Sequence, residues 1–290
     1  MKSVEGSIKM KKVLANNSVI EANEIIIGEN VTWGKDISIK VRGVFKIGAN
    51  SHVGDRFNVK AENCRIGEYF YNNPTDNRGM RIGGGSSHLP FANLTIGDRV
   101  VCHTGHINLA QPVTIGNDVG LSHDVDIITH GFWGSVLDGY PRKVESVTIG
   151  NNVIIGWKTV IMAGVNIADD VVVGSHATIV KDLKISKAIY GGTPAKVIGY
   201  IHTLTIEEQR RILLNIVFEF LELLATFYIE KADVTVTYPN VYINGLKLNV
   251  EKKTCAGKHC KVSDAFRDHL RRYGIRIFHP RGFKFNLTRI

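Results

Sequence analysis

The sequence predicts a mainly β fold: a solenoid of short strands, followed by a helix and a small α+β module. Its main sign is a run of aliphatic residues six apart: Ile149, Ile155, Ile161, Ile167, Val173, Ile179 and Ile185. A period of six matches neither a helix nor a plain strand. It matches a chain that forms one short strand, turns a corner and repeats. Three sides make a triangular coil of about 18 residues, and stacked coils bury the repeated residues.

The same spacing occurs upstream in groups of three residues. The groups are Ile27, Trp33 and Ile39; Ile47, Val53 and Val59; Ile96, Cys102 and Asn108; and Ile115, Leu121 and Ile127. Between groups the spacing lengthens to seven or eight, which predicts extra residues at one corner of the triangle. Glycine follows many of these residues, as at Gly28, Gly48 and Gly116, and is expected at corners that need unusual backbone angles.

Two long interruptions break the repeat, at residues 68–94 and 128–147. The first contains the aromatic run Tyr69, Phe70 and Tyr71 and the glycine triplet Gly83, Gly84 and Gly85. Solenoids carry insertions as loops, often on the binding face, so both loops are candidate sites. The first is equally consistent with a loop that covers a subunit interface.

A helix is predicted over residues 205–231. Thr205 and Glu208 have the spacing of a capping box, and the apolar residues recur every three or four positions. Charged and amide side chains such as Glu219 and Asn215 interrupt the apolar stretch, which argues against a membrane span. We expect the helix to pack on the solenoid or on symmetry mates. Contact with a membrane surface is the less favoured alternative.

The remaining residues predict a small α+β module. Residues 234–237 alternate like a strand, and Asn244-Gly245 is a hairpin turn signal. Ser263 is predicted to cap a helix that ends at Gly274, and residues 275–278 are predicted to form another strand. The predicted domains are therefore residues 1–200, 201–231 and 232–290.

This last module is strongly basic. It contains 12 Lys and Arg against 4 Asp and Glu, so it holds eight of the chain's nine net positive charges. Such a balance favours a polyanionic partner, such as acidic polysaccharide, nucleic acid or anionic lipid. No nucleic-acid-binding motif is present. The module is expected to hold an anionic polymer near the active site, and an ordinary solvated surface remains the alternative.

The four cysteines are too few for a disulfide scaffold, and the start of the chain lacks the apolar run of a secretion signal. A reducing, cytoplasmic setting is therefore expected. Cys255 and Cys260 flank His259, but one such pair is weak support for a metal site. Free thiols in a loop are the favoured interpretation.

The second interruption contains the best catalytic candidates. His130 lies where the repeat breaks, so its imidazole can leave the stack and accept a proton near neutral pH. Asp124 or Asp126 could orient that ring by accepting its other N–H. His123 is the rival base, although its place within a regular hexad also suits a surface histidine.

The segment 148–198 resembles a known family. Its motifs are Thr148-Ile149-Gly150-Asn151-Asn152-Val153, Ile155-Gly156, Ala163-Gly164-Val165-Asn166-Ile167, Lys181-Asp182 and Gly191-Gly192-Thr193-Pro194-Ala195-Lys196-Val197-Ile198. They are similar to the terminal signature of hexapeptide-repeat acetyltransferases, which fold as left-handed parallel β-helices. The galactoside, maltose and polysaccharide O-acetyltransferase branch is the most similar. The resemblance covers about residues 25–200.

The resemblance implies a homotrimer with acetyl-CoA in the groove between neighbouring solenoids, and His130 as the catalytic base. It places Trp157 and Ser175 beside the pantetheine arm, and Lys181 and Lys196 near the CoA phosphates. Where the family often has Trp, this chain has Ile154. Asn108 is a polar residue at a position where the repeat has aliphatic residues, and it is a catalytic candidate together with His130. Its side chain either faces the acceptor or forms part of a ladder of hydrogen bonds along a corner. Candidate acceptor contacts are His123, Trp133 and Tyr140.

The expected function is acetyl-CoA-dependent O-acetylation of a sugar hydroxyl, in a capsular or surface polysaccharide or its precursor. A direct transfer is expected rather than an acyl-enzyme, because no activated Ser or Cys pairs with a histidine in the signature, and no metal is needed. Three alternatives stay open: N-acetylation of an amino-sugar nucleotide, acetylation of a small xenobiotic, and a non-catalytic solenoid that serves as a binding module.

Overall fold

The computed structural model describes residues 10–14, 16–72, 78–84, 90–227 and 232–284. The chain divides into two units, Met1–Ile201 and His202–Ile290. The first unit is a parallel β-helix, and the second is a small α+β unit. The fold class predicted from the six-residue repeat is confirmed.

Three sheets form the sides of the β-helix, here called faces A, B and C. Face A consists of strands Met10–Val13, Val19–Ala22, Ser38–Val41, Asn58–Ala61, Met80–Gly83, Gly105–Asn108, Val125–Ile127, Val160–Ile161 and Thr178–Ile179. Face B consists of strands Glu24–Ile27, Val44–Ile47, Asn63–Ile66, Asn93–Ile96, Val113–Ile115, Val147–Ile149 and Asn166–Ile167. Face C consists of strands Thr32–Trp33, His52–Val53, Tyr71–Asn72, Val101–Cys102, Gly120–Leu121, Ile154–Ile155, Val172–Val173, Ala188–Gly191 and Lys196–Tyr200.

Successive coils pair in parallel, and the first strand of face A and the last of face C pair antiparallel at the two ends. The repeated aliphatic residues point inward and form one continuous core. Two predicted members of the repeat are wrong. Ile107, not Asn108, pairs with Ile127 in the core, so the strand is one residue out of the predicted register. Ile185 is 47% exposed, and Leu183 takes the buried position opposite Ile167.

The glycines after the aliphatic residues serve close approach between coils rather than unusual backbone angles. At Gly48 a Cβ atom would lie 2.5 Å from the backbone nitrogen of Glu68 in the next coil, and φ of Gly48 is not positive. The left-handed corner residues are others, such as Asn30, Asn50 and Asn152, with φ of 56°, 57° and 54°. The predicted role of these glycines is therefore wrong.

The second interruption leaves the β-helix at the corner between faces A and B. It begins with a two-stranded hairpin, His130–Gly131 against Lys143–Val144, with a 3₁₀ turn at Val136–Asp138. The first one contains the face A strand Met80–Gly83. Residues 73–77 and 85–89, which include Gly85, lie outside the described residues.

The second unit joins two helices to a four-stranded antiparallel sheet. Helix α1 spans Ile206–Thr226 and helix α2 spans Lys261–Arg272. The strands are Val234–Thr237, Asn240–Ile243, Leu246–Asn249 and Thr254–Gly257. The predicted capping box of Thr205 and Glu208 and the Asn244-Gly245 turn are present. No helix in the described part of the chain is long and apolar enough to cross a membrane.

The apolar side of α1 lies in the core of this second unit, which also contains Leu270 of α2, and the ring of Phe220 lies 4.9 Å from that of Phe266. The sheet and α2 supply an apolar face for this side of the helix within the same unit. Cys260 caps α2, and Ser263 is the other member of its capping box rather than the cap. Residues 275–278 form no strand.

The coil-to-coil contact at Gly48 predicts the cost of adding a methyl group there. Gly48→Ala is expected to destabilise the β-helix by roughly 1–3 kcal/mol, because backbone atoms of the next coil cannot move aside independently. The control is Gly120→Ala, since no atom lies within 4 Å of a Cβ at Gly120. Urea unfolding followed by circular dichroism checks this, and equal midpoints for the two variants would contradict it.

Candidate active site

The corner between faces A and B, here called the A/B corner, brings three segments of adjacent coils together. Gly84 follows the face A strand of one coil, Asn108 ends that of the next, and Thr129 and His130 follow that of the third. These residues are far apart in the sequence. The coil repeat therefore stacks them at the position from which the second insertion leaves the β-helix.

Asn108 is the hydrogen-bonding centre of this corner, and only 4% of it is exposed. Its side-chain oxygen Oδ1 lies 2.8 Å from Nδ1 of His130 and 2.7 Å from the hydroxyl of Thr129. The backbone N–H of Ala110 donates to the same oxygen at 3.1 Å. Thr129 is itself fully buried and accepts the N–H of Gln111 at 3.2 Å. The Asn108 amide is thus held on three sides.

These contacts determine which nitrogen of His130 carries the proton. The backbone N–H of Ala110 can only donate, so the Asn108 atom that faces it must be the oxygen. An amide oxygen can only accept, so Nδ1 of His130 must donate to it. In the neutral ring Nε2 then keeps its lone pair, which is the arrangement a general base requires.

The inserted hairpin supports the histidine from the other side. His130 pairs with Val144 across the hairpin, and the N–H of Glu145 donates to the carbonyl of Thr129 at 3.0 Å. The ring of Phe132 lies 5.4 Å from that of His130. His130 is half-buried, so its ring is restrained while part of it still reaches solvent.

The predicted aspartate partner of His130 is wrong, because Asn108 occupies that role. Asp124 instead accepts the hydroxyl of Thr104 at 2.9 Å and pairs with Arg78 at 2.9 Å. Burial alone would raise the pKa of the Asp124 carboxyl, but the hydrogen bonds from Thr104 and Arg78 outweigh it and hold the pKa below its usual value. Asp126 lies in the strand Val125–Ile127, opposite His106.

The acceptor residues expected from the sequence lie in two places, beside His103 and on the inserted hairpin. His123 lies before the strand Val125–Ile127 and His130 after it, so they occupy opposite edges of face A; His123 stacks on His103 at 4.4 Å. Trp133 is fully exposed on the hairpin. Tyr140 packs on the backbone of the same hairpin, where a Cβ at Gly134 would lie 2.3 Å from its ring.

Two of the expected coenzyme residues lie together at the corner between faces C and A. Trp157 and Ser175 occupy equivalent positions of adjacent coils, and the carbonyl of Trp157 accepts the N–H of His176 at 2.7 Å. The indole, 45% exposed, meets the His176 ring at 5.7 Å, and the Lys158 ammonium lies 4.8 Å from its centre.

The two expected phosphate ligands are both exposed. Lys181 follows the last strand of face A, and Lys196 begins the last strand of face C and pairs with Gly191. Among the described residues, neither lysine takes part in an ion pair. The structure therefore leaves both ammonium groups accessible.

A cavity beside Asn108 contains residues that the sequence analysis missed. It has a volume of about 270 Å³ and lies on the outer side of face A, with Lys60, Arg81 and His106 in its lining. Gly84 joins it to the A/B corner, since a Cβ there would lie 2.6 Å from Nδ2 of Asn108. Burial and the nearby Arg81 lower the pKa of His106. The predicted place of Val59 in the repeat implies an outward Lys60, but Arg81 lies in the first interruption and His106 in the strand whose register was predicted wrongly.

Comparison with known proteins finds similar solved structures, although no protein-family model matches the chain. A hexapeptide-repeat-containing acetyltransferase from Vibrio cholerae is 21% identical, over 43% of this chain and 74% of that one, with a TM-score of 0.35. A mutant N-acyltransferase from Bacillus cereus, in complex with dTDP and coenzyme A, is 16% identical over 68% and 93%, with a TM-score of 0.38. A polysialic acid O-acetyltransferase is 22% identical over 63% and 90%, with a TM-score of 0.34.

The hydrogen bond from His130 to Asn108 predicts the tautomer of the histidine. At a pH where histidine is neutral, we expect the hydrogen of His130 on Nδ1, because Oδ1 of Asn108 accepts it. Asn108→Ala removes that acceptor, so Nε2–H forms should then appear. The ¹⁵N chemical shifts of the labelled imidazole distinguish the two forms. A wild-type ring with its hydrogen on Nε2 would contradict the assignment.

Proposed function

We propose that this protein is an acetyl-CoA-dependent O-acetyltransferase acting on a sugar hydroxyl of a capsular or surface polysaccharide or its precursor. The observation that carries the proposal is the Asn108–His130 pair. It holds a histidine with Nε2 as the free basic nitrogen at the corner from which an insertion leaves the β-helix. The resemblance of residues 148–198 to the acetyltransferase signature supports the same assignment.

In the proposed reaction His130 acts as the general base. Acetyl-CoA supplies the acetyl group as a thioester. Nε2 of His130 takes the proton of the acceptor hydroxyl while the oxygen attacks the thioester carbonyl carbon, and the C–S bond then breaks. His130 returns the proton to the departing sulfur. Asn108 is a positioning residue, because its oxygen accepts from Nδ1 throughout and prevents the ring from turning. A backbone N–H would stabilise the developing oxyanion.

On the coenzyme side, we assign Trp157 and Ser175 to the pantetheine arm and Lys181 and Lys196 to the phosphates. The exposed indole offers an apolar surface, and both lysines are exposed point charges of the kind that bind phosphate. Trp157 and Ser175 lie at the corner between faces C and A, Lys181 follows the last strand of face A, and Lys196 begins the last strand of face C. A homotrimer, in which a second copy completes the groove, would join them to one coenzyme.

On the acceptor side, we assign the cavity of face A. It lies on the coils before His130, whereas the proposed coenzyme residues lie on the coils after it. Lys60 and Arg81 are exposed in its lining, and His106 adds little charge because its pKa is lowered. Two cations in a cavity beside the base favour an acceptor that carries carboxylates, and the basic second unit would favour a polymeric one.

Replacement of His130 tests the proposed base. His130→Gln is expected to lower turnover by about 10²–10⁴-fold, because an amide cannot accept the proton. Thiol release from acetyl-CoA with glycan acceptors, confirmed by the acetyl mass shift, measures it. The matched control is His52→Gln, a half-buried histidine in face C that bonds Thr32 at 2.8 Å and should keep activity.

Calorimetric titration with CoA separates the possible failures of that test. His130→Gln should bind CoA as the wild type does, which shows that the variant is folded. Near wild-type turnover in His130→Gln would overturn the proposed base. A wild-type chain that neither releases thiol nor binds CoA would instead support a non-catalytic binding module.

Neutralising the cavity tests the proposed acceptor. Lys60→Gln combined with Arg81→Gln is expected to raise KM for an anionic glycan roughly two- to thirtyfold, because exposed charge contacts contribute about 0.2–1 kcal/mol each. The KM for a neutral acceptor should stay unchanged, as should kcat for both. Lys46→Gln, an exposed lysine on face B, is the control. Equal changes in KM for anionic and neutral acceptors would contradict the assignment.

A further inference from the structure

The second unit contains a cluster of three metal-ligating side chains, Cys255, His259 and His279. Their ligand atoms all lie within 4.8 Å of one another, and the three residues are half-buried. Cys255 comes from the last strand of the sheet, His259 from the turn before α2, and His279 from the segment after α2. The favoured interpretation of the sequence, free thiols in a loop, did not include His279, which is 20 positions beyond His259.

A buried carboxylate sets the orientation of His259. Nδ1 of His259 donates to Oδ1 of Asp264 at 2.9 Å, and both side chains are at most 10% exposed. Nε2 therefore keeps its lone pair, and it lies 4.0 Å from Sγ of Cys255. Metal-bound histidines commonly donate their second N–H to a carboxylate in this way.

Asp264 is itself firmly held. Its Oδ2 accepts two hydrogen bonds from Arg281 at 2.7 and 2.9 Å, and its Oδ1 also meets Arg267 at 3.4 Å. The two guanidinium groups therefore bond to the carboxylate that orients His259. The ring of His279 lies 4.2 Å from that of His259. Its Nδ1 accepts the backbone N–H of Arg281 at 3.2 Å, and His279 would give up this hydrogen bond on binding a metal, because a neutral imidazole has one lone-pair nitrogen.

We propose that Cys255, His259 and His279 bind one zinc ion, with Asp264 orienting His259. One thiolate and two imidazoles form the mixed sulfur and nitrogen set that zinc prefers, with the fourth position open to water. Ligand atoms around a tetrahedral zinc ion lie about 3.5 Å apart. Movements of about 1 Å close the present cluster to that spacing.

The ion would fasten the C-terminal segment to the rest of the unit. Residues 275–284 form no helix or strand, yet Ile277 is fully buried in the core of the unit. The carbonyl of Ile277 accepts a hydrogen bond from the buried Arg267 at 3.1 Å. Metal ligation would add a bond between this segment, the edge strand and the start of α2. Small cores commonly require such a link. This role is independent of the proposed acetyl transfer.

The test uses the full-length protein, reduced and stripped of metal by chelation, and then titrated with Co²⁺ and Zn²⁺. The wild type is expected to bind one Co²⁺ per chain and to show a thiolate-to-cobalt charge-transfer band. Addition of Zn²⁺ should displace the Co²⁺ and remove that band. Cys255→Ser should abolish that band, and His279→Gln should weaken metal binding by roughly 100-fold or more. Circular dichroism of each variant verifies the fold.

Cys260→Ser is the matched control. Cys260 is also half-buried and near His259 in sequence, but its Sγ caps α2 by accepting the N–H of Ser263. Serine is a good N-cap, so this variant should fold and keep the cobalt band. A wild-type chain that binds neither metal would overturn the proposal. So would a band that Cys260→Ser removes and Cys255→Ser retains. Fast alkylation of Cys255 without metal binding would show a cysteine nucleophile instead.

Discussion

The hydrogen-bond ladder between successive coils is the constraint on which the rest of the β-helix depends. Each coil is bonded to the coils on both sides: the N–H of Leu109 donates to the carbonyl of Gly83 in the preceding coil, and the N–H of Ile128 donates to that of Ile161 in the following coil, each at 2.9 Å. The inward aliphatic residues can then stack in only one register, because a shift by one residue would turn them toward solvent. Asn108 and His130 are 22 positions apart, and this register brings them within 2.8 Å.

The proposed site depends on an interruption of that regularity. A corner can carry extra residues without breaking the ladders on either side, and a longer loop adds little to the entropic cost of closing it. The hairpin that begins after Thr129 therefore takes His130 out of the regular stack of coils, while the preceding coil still supplies Asn108. Ala110 and Thr129 hold the amide, so the histidine is oriented by groups that belong to the scaffold.

The sequence was sufficient to predict the solenoid and the place where the second insertion leaves it, because period and interruption are visible along one chain. It was not sufficient to predict contacts between side chains that only the stacking of the coils brings together. Asn108 as the partner of His130 depended on the exact register, which was wrong by one residue at Ile107. Lys60, Arg81 and His106 come from three different coils, so no local motif marks them. His279 was missed for the same reason, because only the fold of the second unit brings it close to Cys255.

A double-mutant cycle on Asn108 and His130 tests the central claim most directly. If Asn108 acts by orienting His130, the loss in kcat/KM for acetyl transfer should not be additive. Asn108→Ala combined with His130→Gln should then be no slower than His130→Gln alone, although Asn108→Ala alone is slow. Losses that multiply in the double variant would show that Asn108 acts independently of the histidine, and would contradict the account.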